Sequence, residues 1–330
     1  MSAPLLTVST SPHILGRNTV RQMHLEFLIA LAPTLLAGFY YFGTAAVLLV
    51  ILCAATALVT EWAIVKACGL PNRVGDLHAV LMGTLLGMLL PAGAPWWVAV
   101  VGGALAIAMA KMIFGGLGGY PMNPVLIAWA TLEISWPEHM KAFLMPLASK
   151  PELAQSALMK LQADPSVIKT LDLMGLWCGT DPGELGCTSA WAILIGGLYL
   201  IIRRHIDWRI PLGVIAGVIV MSLLALSLDP NLAKLGLTGL WQKLHLAWFH
   251  LGSGGMMIAA FFLATESVSS PVTPGGCLLY GLGIGILAVI IRSWGAAGDG
   301  AYYAVLLMSA ATPLFDRVRP RVIGKPQREW

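Results

Sequence analysis

The feature that most constrains this chain is a succession of long apolar runs separated by Pro, Gly and short charged clusters. Ten runs stand out: Leu25–Phe42, Thr44–Ala67, Ala79–Leu90, Trp96–Ile113, Asn123–Ile134, Thr188–Ile202, Pro211–Leu228, Leu246–Ala264, Cys277–Ile291 and Ala301–Phe315. A helix needs about 20 largely apolar residues to cross a hydrocarbon layer roughly 30 Å thick. Several runs are shorter than that, and the third and fifth suit tilted or broken helices completed by neighbouring protein. Charged residues make up 11% of the chain and apolar residues 58%, against roughly 25% charged in an ordinary soluble domain. So few charges cannot cover a water-facing surface, which excludes a soluble enzyme, a disordered chain and a nucleic-acid binder. The first run starts near residue 25 with no basic start and small-residue cleavage site before it, which speaks against a cleaved signal peptide.

Ten spans put both termini on one side. Arg17, Arg21, Lys66, Arg73, Lys111, Arg203, Arg204, Arg209 and the tail residues Arg317, Arg319, Arg321, Lys325 and Arg328 then share that side, thirteen of twenty cations. The positive-inside rule makes it cytoplasmic. The expected organisation is a cytoplasmic arm (1–23), a first five-helix unit (24–134), a non-cytoplasmic loop (135–187), a second five-helix unit (188–316) and a basic cytoplasmic tail (317–330). Within the loop, Ala154–Leu161 is expected to form a short helix.

Two stretches look alike. Ala79–Ala130 and Gly252–Phe315 each run apolar helix, Pro-containing turn, apolar helix, Gly-rich turn and short helix. An odd number of helices per half would place the second half upside down, as in inverted-repeat transporters. Recurring Gly-rich connectors in an unrelated polytopic protein are the other explanation. Where helices break inside a membrane, their ends expose N–H groups able to face an ion or polar ligand.

Five acids lie in or beside the runs: Glu26, Glu61, Asp76, Glu133 and Glu266. Burying a charge in a bilayer costs at least about 2.5 kcal/mol, so each is a functional candidate. Glu26 is expected to reach interfacial water and Glu61 to pair with Lys66, leaving Asp76 and Glu266 as the ion-pathway candidates. Lys111 is expected to snorkel to the cytoplasmic surface. The turn Gly115-Gly116-Leu117-Gly118-Gly119-Tyr120-Pro121-Met122-Asn123-Pro124 reads as a helix start, with Asn123 as cap and Pro124 in the first turn. It is either a binding turn with exposed amides or a plain re-entrant turn. No β-strand precedes it and it lacks dinucleotide spacing. Cys178 and Cys187 are read as a disulfide or as two free thiols rather than a metal site. The seven histidines show no zinc or haem spacing.

Several strings then point to a family. Asp76-Leu-His-Ala, Gly83-Thr-Leu-Leu, Lys111-Met-Ile-Phe-Gly-Gly-Leu-Gly, Met122-Asn-Pro-Val, Gly183-Glu-Leu-Gly-Cys-Thr-Ser189, Arg203-Arg-His-Ile-Asp-Trp-Arg-Ile-Pro211, Ala264-Thr-Glu-Ser-Val-Ser and Thr312-Pro-Leu-Phe-Asp316 occur in order between about Ser11 and Asp316. Together they resemble the D subunits of Rnf ion-translocating ferredoxin:NAD oxidoreductases, which are homologous to the B subunits of sodium-pumping NADH:quinone oxidoreductases. The resemblance implies an all-α polytopic fold of ten helices in two inverted halves with half-helices. It also implies a place among flavin and iron–sulfur subunits in a bacterial inner membrane, coupling electron transfer to Na⁺ or H⁺ movement.

The family usually carries FMN, bound as a phosphoester to the threonine of an S-G-A-T motif in the non-cytoplasmic loop. That motif is absent here, and the matching segment Glu152–Lys160 holds no threonine. Two readings follow: attachment at Thr170, one of the loop's two threonines with Thr180, or no covalent flavin in this loop. Relatives among those B subunits also hold riboflavin without a covalent link near the Gly-rich turn, which implies Gly118, Gly119 and Asn123 as its contacts, with Tyr120 where an asparagine is common. A stand-alone channel or secondary transporter on the same scaffold is the competing function.

Overall fold

The structure, a computed structural model, describes residues 19–69, 74–148, 152–164, 167–168, 172–228, 240–295 and 299–317. The N-terminal arm before residue 19, Thr170 and the basic tail beyond residue 317 lie outside the described residues. The described residues are helical, with two isolated β-bridges, Pro91–Glu184 and Leu144–Leu153, and no strand.

α1 (Val20–Phe42) and α2 (Thr44–Ala67) form a hairpin joined by one residue, Gly43, at φ 64°. Thr19 caps α1, its hydroxyl accepting from Gln22 N at 3.2 Å. After a 3₁₀ turn at Val74–Asp76 comes α3 (His78–Leu89), then α4 (Trp96–Ile107), which continues as a π-helical turn at Ala108–Met112. α5 (Pro124–Ser135) starts where Asn123 Oδ1 accepts from Val125 N at 3.0 Å. The loop carries a four-residue helix at Pro137–Met140 and two further short helices, α6 (Ala157–Ala163) and α7 (Leu173–Cys178). The expected loop helix is thus present, shifted about one turn toward the C-terminus.

The second half runs α8 (Ala190–Ile202), α9 (Arg209–Leu228), α10 (Leu240–Gly252), α11 (Met256–Ile258, continued as a π turn at Ala259–Leu263), α12 (Pro274–Trp294) and α13 (Gly300–Ala310). Each of the ten apolar runs coincides with helix. One expectation fails: Leu246–Ala264 is not a single helix. It breaks at Ser253-Gly254-Gly255, and its two pieces are bent by 74°. Gly254, at φ 56°, supplies the left-handed residue that the bend requires.

Among the described residues, α1, α2, α9 and α12 are long and apolar enough to cross a membrane, and the bent pair makes a fifth. α3 and α5 have twelve residues each, about 18 Å of helix at 1.5 Å per residue, well short of a bilayer. α3 is buried nearly all round, as a half-helix inside protein must be, while α5 is buried over most of its length and exposed at its end, at Ile134 and Ser135. The outward faces, by contrast, are apolar: Leu36, Tyr40, Ile51, Val59, Ile195 and Leu198 are all more than half exposed. Such a surface needs lipid or partner protein against it.

α2 packs on α3 and α4, and α9 packs on α12 as the most extensive contact of the bundle. Small residues make that crossing close. A Cβ on Gly285 would meet Val214 O, Val218 N and Gly217 C of α9. Gly285→Val is therefore expected to force these backbones apart and cost about 3 kcal/mol, read as a lowered Tm of the detergent-solubilised protein.

Candidate functional site

The half-helix starts create two polar clusters, one at each end of the bundle. At the first end, Leu77 sits in the left-handed region at φ 63° and turns the chain into α3. The Asp76 carboxylate accepts from His78 N at 2.8 Å, so it closes the helix start instead of standing free. Its backbone oxygen lies 2.7 Å from His24 Nδ1 on α1. His78 is buried, with its ring 5.0 Å from that of His24 and its Nε2 3.0 Å from Tyr120 OH. Tyr120 in turn donates to Glu266 Oε1 at 2.7 Å.

Glu266 is 6% exposed and lies just past the π turn that ends α11. Its carboxylate also accepts from Val268 N (3.2 Å), Ser269 N (3.0 Å) and Ser269 Oγ (2.8 Å). Four donors thus occupy the two oxygens of one carboxylate. Asn123 joins the same two elements, donating from Nδ2 to Leu263 O at 3.0 Å. The structure therefore brings Asp76 and Glu266 into one cluster, bridged by His78 and Tyr120. Sequence reasoning gave neither bridging residue a role of this kind; the position of Tyr120 in the Gly-rich turn was the available signal.

Three expectations about charge are corrected here. Lys111 does not snorkel: it is 1% exposed, and its Nζ sits 2.6 Å from Glu61 Oε1. Glu61 accordingly pairs with Lys111, while Lys66 lies over the Trp62 ring at 4.9 Å. The π turn at Ala108–Met112 carries Lys111 on its inner side, a placement that hydropathy along the chain cannot reveal. Glu26 is also buried, taking a hydrogen bond from Tyr199 and pairing with Arg203 at 2.5 Å.

At the other end, Arg292 of α12 is 2% exposed and holds the break between α10 and α11. It donates to His250 O at 2.6 Å and Ser253 O at 2.9 Å, satisfying carbonyls at the end of α10. It also bonds Asp299 Oδ1 at 2.7 Å. Asp299 accepts from Gly255 N and, at 3.0 Å, from Ala301 N, closing the starts of α11 and α13. Nearby, Glu184 accepts from Tyr302 OH and from Cys187 Sγ at 3.2 Å. Cys187 is thus a buried free thiol and Cys178 an exposed one, and they form no disulfide.

A small, partly open cleft of about 60 Å³ reaches this cluster from the loop. Glu133, Asp181, Glu184 and Asp299 line it, with Lys141 as the one cation among its lining residues. Burial raises the Asp181 carboxyl above its ordinary range, Lys160 opposes the shift and Asp172 adds to it.

The described residues fit a flavin poorly. Both polar atoms of the Asn123 amide are engaged, by Leu263 and Val125. Gly118 is required by its own φ of 94°, and a Cβ on Gly119 would meet Phe114 O, so the turn's geometry accounts for both glycines. The acid-lined cleft offers little to a phosphate. Among the described residues, no group of His, Cys, Asp and Glu has metal-binding geometry.

The profile of the NQR2, RnfD, RnfE family matches residues 7–324. The chain is 40% identical to the D subunit of the Na⁺-translocating ferredoxin:NAD⁺ oxidoreductase complex of Acetobacterium woodii, covering 97% of this chain and 95% of that protein. It is 37% identical to the D subunit of the ion-translocating oxidoreductase complex of Stutzerimonas stutzeri, over 94% of each. A third relative, the D subunit of the proton-translocating ferredoxin:NAD⁺ oxidoreductase complex of Clostridium ljungdahlii, is 34% identical over 95% of this chain and 94% of its own length.

Proposed function

The chain belongs to the NQR2, RnfD, RnfE family, and from that premise we propose that it is the D subunit of an Rnf-type complex. In that role it is a multi-pass membrane translocase component of an assembly that couples electron transfer between ferredoxin and NAD to Na⁺ or H⁺ movement. The observation that carries this reading is the match over nearly the whole length of several D subunits. Its relatives are named for different ions, sodium in one and protons in another, so resemblance leaves the ion to the site. The expected partners are the flavin and iron–sulfur subunits of the complex, the surrounding membrane is the bacterial inner membrane, and both termini are cytoplasmic.

The ten helices are read as two inverted halves. The packing supports this: α2 meets α3 and α4 as α9 meets α10 and α12, and α4 meets α5 as α12 meets α13. Each half also places a half-helix start beside the residues preceding another, His78 by Tyr120 and Gly255 by Asp299. Under this reading the two polar clusters are opposite mouths of one pathway through the half-helices. Asp76 and Glu266 lie at the cytoplasmic mouth, and Glu184 at the other. The protein's part is to hold charge at fixed points in a dry interior, where electrostatic interactions are strong.

Co-purification tests the reading. A tagged chain is expected to bring down flavin and iron–sulfur subunits; recovery as a lone homo-oligomer would favour a stand-alone channel or transporter. Covalent FMN on Thr170 is a separate question, at a position outside the described residues, and with the S-G-A-T motif absent we favour no covalent flavin in this loop. The expected result is a denaturing gel with no fluorescent band at this chain's mass. A fluorescent band that is lost in Thr170→Ala would overturn this and assign the attachment. Because the described residues fit the group poorly, no step of the mechanism is routed through it.

A further inference from the structure

Donor and acceptor counting around Tyr120 determines where one proton sits. A tyrosine hydroxyl has a single proton, and Tyr120 gives it to Glu266, whose other contacts are all donors. His78 Nε2, 3.0 Å from the same hydroxyl, must therefore donate to it. A neutral imidazole protonated on Nε2 carries a bare lone pair on Nδ1. That Nδ1 is buried and has no hydrogen-bond partner.

A second orphan acceptor lies on α2. Glu61 takes Lys111 Nζ on Oε1, while its Oε2 is buried without a partner. α2 packs against both α3 and the π turn that carries Lys111. The Lys111 ammonium, with three protons and one used by Glu61, lies within Coulombic reach of His78. Buried polar atoms without partners are rare in folded proteins. Here two acceptors of that kind sit on residues more than nine-tenths buried, one of them on the carboxylate that Lys111 pairs with. The remaining polar groups at this place are His24, its ring against His78, and the Asp76 carboxylate on His78 N.

We propose that Glu61, Lys111 and His78 form a buried proton-holding site, wired through Tyr120 to Glu266 and so from one half of the protein to the other. In the transfer, Lys111 releases a proton to His78 Nδ1. The Nε2 proton of His78 passes to Tyr120 as the Tyr120 proton passes to Glu266 Oε1. Only N–H and O–H bonds are exchanged: Lys111 becomes neutral, Glu266 becomes a carboxylic acid, and no electron changes hands. Glu61, left without its counter-charge, draws the next proton onto Lys111 from the aqueous side.

This inference rests on the Rnf-type reading, and its test separates the two. Inverted membrane vesicles holding the whole complex are assayed for ferredoxin-dependent NAD reduction together with proton and Na⁺ uptake. His78→Gln keeps a donor for Tyr120 but cannot carry the proton onward. The double variant Glu61→Gln/Lys111→Met removes the buried pair with similar chain lengths, an exchange that packing generally tolerates. Both are expected to keep electron transfer within about twofold while proton uptake per electron falls about hundredfold. Unchanged uptake per electron in either variant overturns the proposal. So does a parallel loss of electron transfer and uptake in an assembled complex, which marks a structural role. Wild-type vesicles that move Na⁺ without any proton overturn it while sparing the Rnf-type reading. Wild-type vesicles with no ferredoxin-dependent activity overturn both.

Discussion

Arg292→Ala is expected to be the most destabilising single substitution in the described bundle. The guanidinium joins three helix ends: it donates to His250 O and Ser253 O at the end of α10 and binds Asp299, which closes the starts of α11 and α13. A helix end normally finds water for its free carbonyls. At a break inside a membrane protein, only protein groups are within reach. Removing the side chain leaves two carbonyls unpaired and the Asp299 carboxylate buried without its cation. Truncating one member of a buried ion pair costs about 3–5 kcal/mol. The expected result is a large drop in Tm, or loss of the chain from the purified complex. Arg292→Lys is expected to recover only part of it, since an ammonium reaches the carboxylate but lacks the planar fork for several acceptors. A wild-type Tm in Arg292→Ala would mean that other contacts hold the bend.

Glu266→Gln is expected to affect function as strongly as the loss of His78. The carboxylate accepts from Tyr120, Val268 and Ser269, four donors in all. The amide has one acceptor oxygen, so its NH₂ must face at least one donor that the carboxylate satisfied. More importantly, the variant removes the charge at the point where Tyr120 joins the two halves. An assembled complex that still passes electrons but has lost about 99% of its coupled ion uptake is the expected phenotype. Loss of assembly would instead assign Glu266 a structural role, and normal coupling would remove it from the pathway.

Hydropathy located the helices closely, because lipid imposes a strong and local rule on each run. α2 starts at Thr44 and ends at Ala67 as read from the run, and the helix start at Asn123-Pro124 followed from capping chemistry alone. The break at Ser253–Gly255 was not legible. Its run stays apolar on both sides, and the bend depends on Arg292, about 40 residues away, to satisfy the freed carbonyls. The candidate site was legible in part. Asp76 and Glu266 were identifiable as acids beside apolar runs, but their link through His78 and Tyr120 required knowing which helix starts meet.

The charges show where the division lies. By itself the sequence determined that this is a membrane-resident bundle of helices, and which residues its few charges are, because burial in lipid acts on each segment independently. Only the tertiary structure decided how those charges are used. Lys111 joins Glu61 instead of reaching the surface, and Arg292 holds a broken helix instead of marking a loop. Those partners are set by helix rotation and crossing, and a π turn or a one-residue bend changes both without altering the hydropathy of the segment.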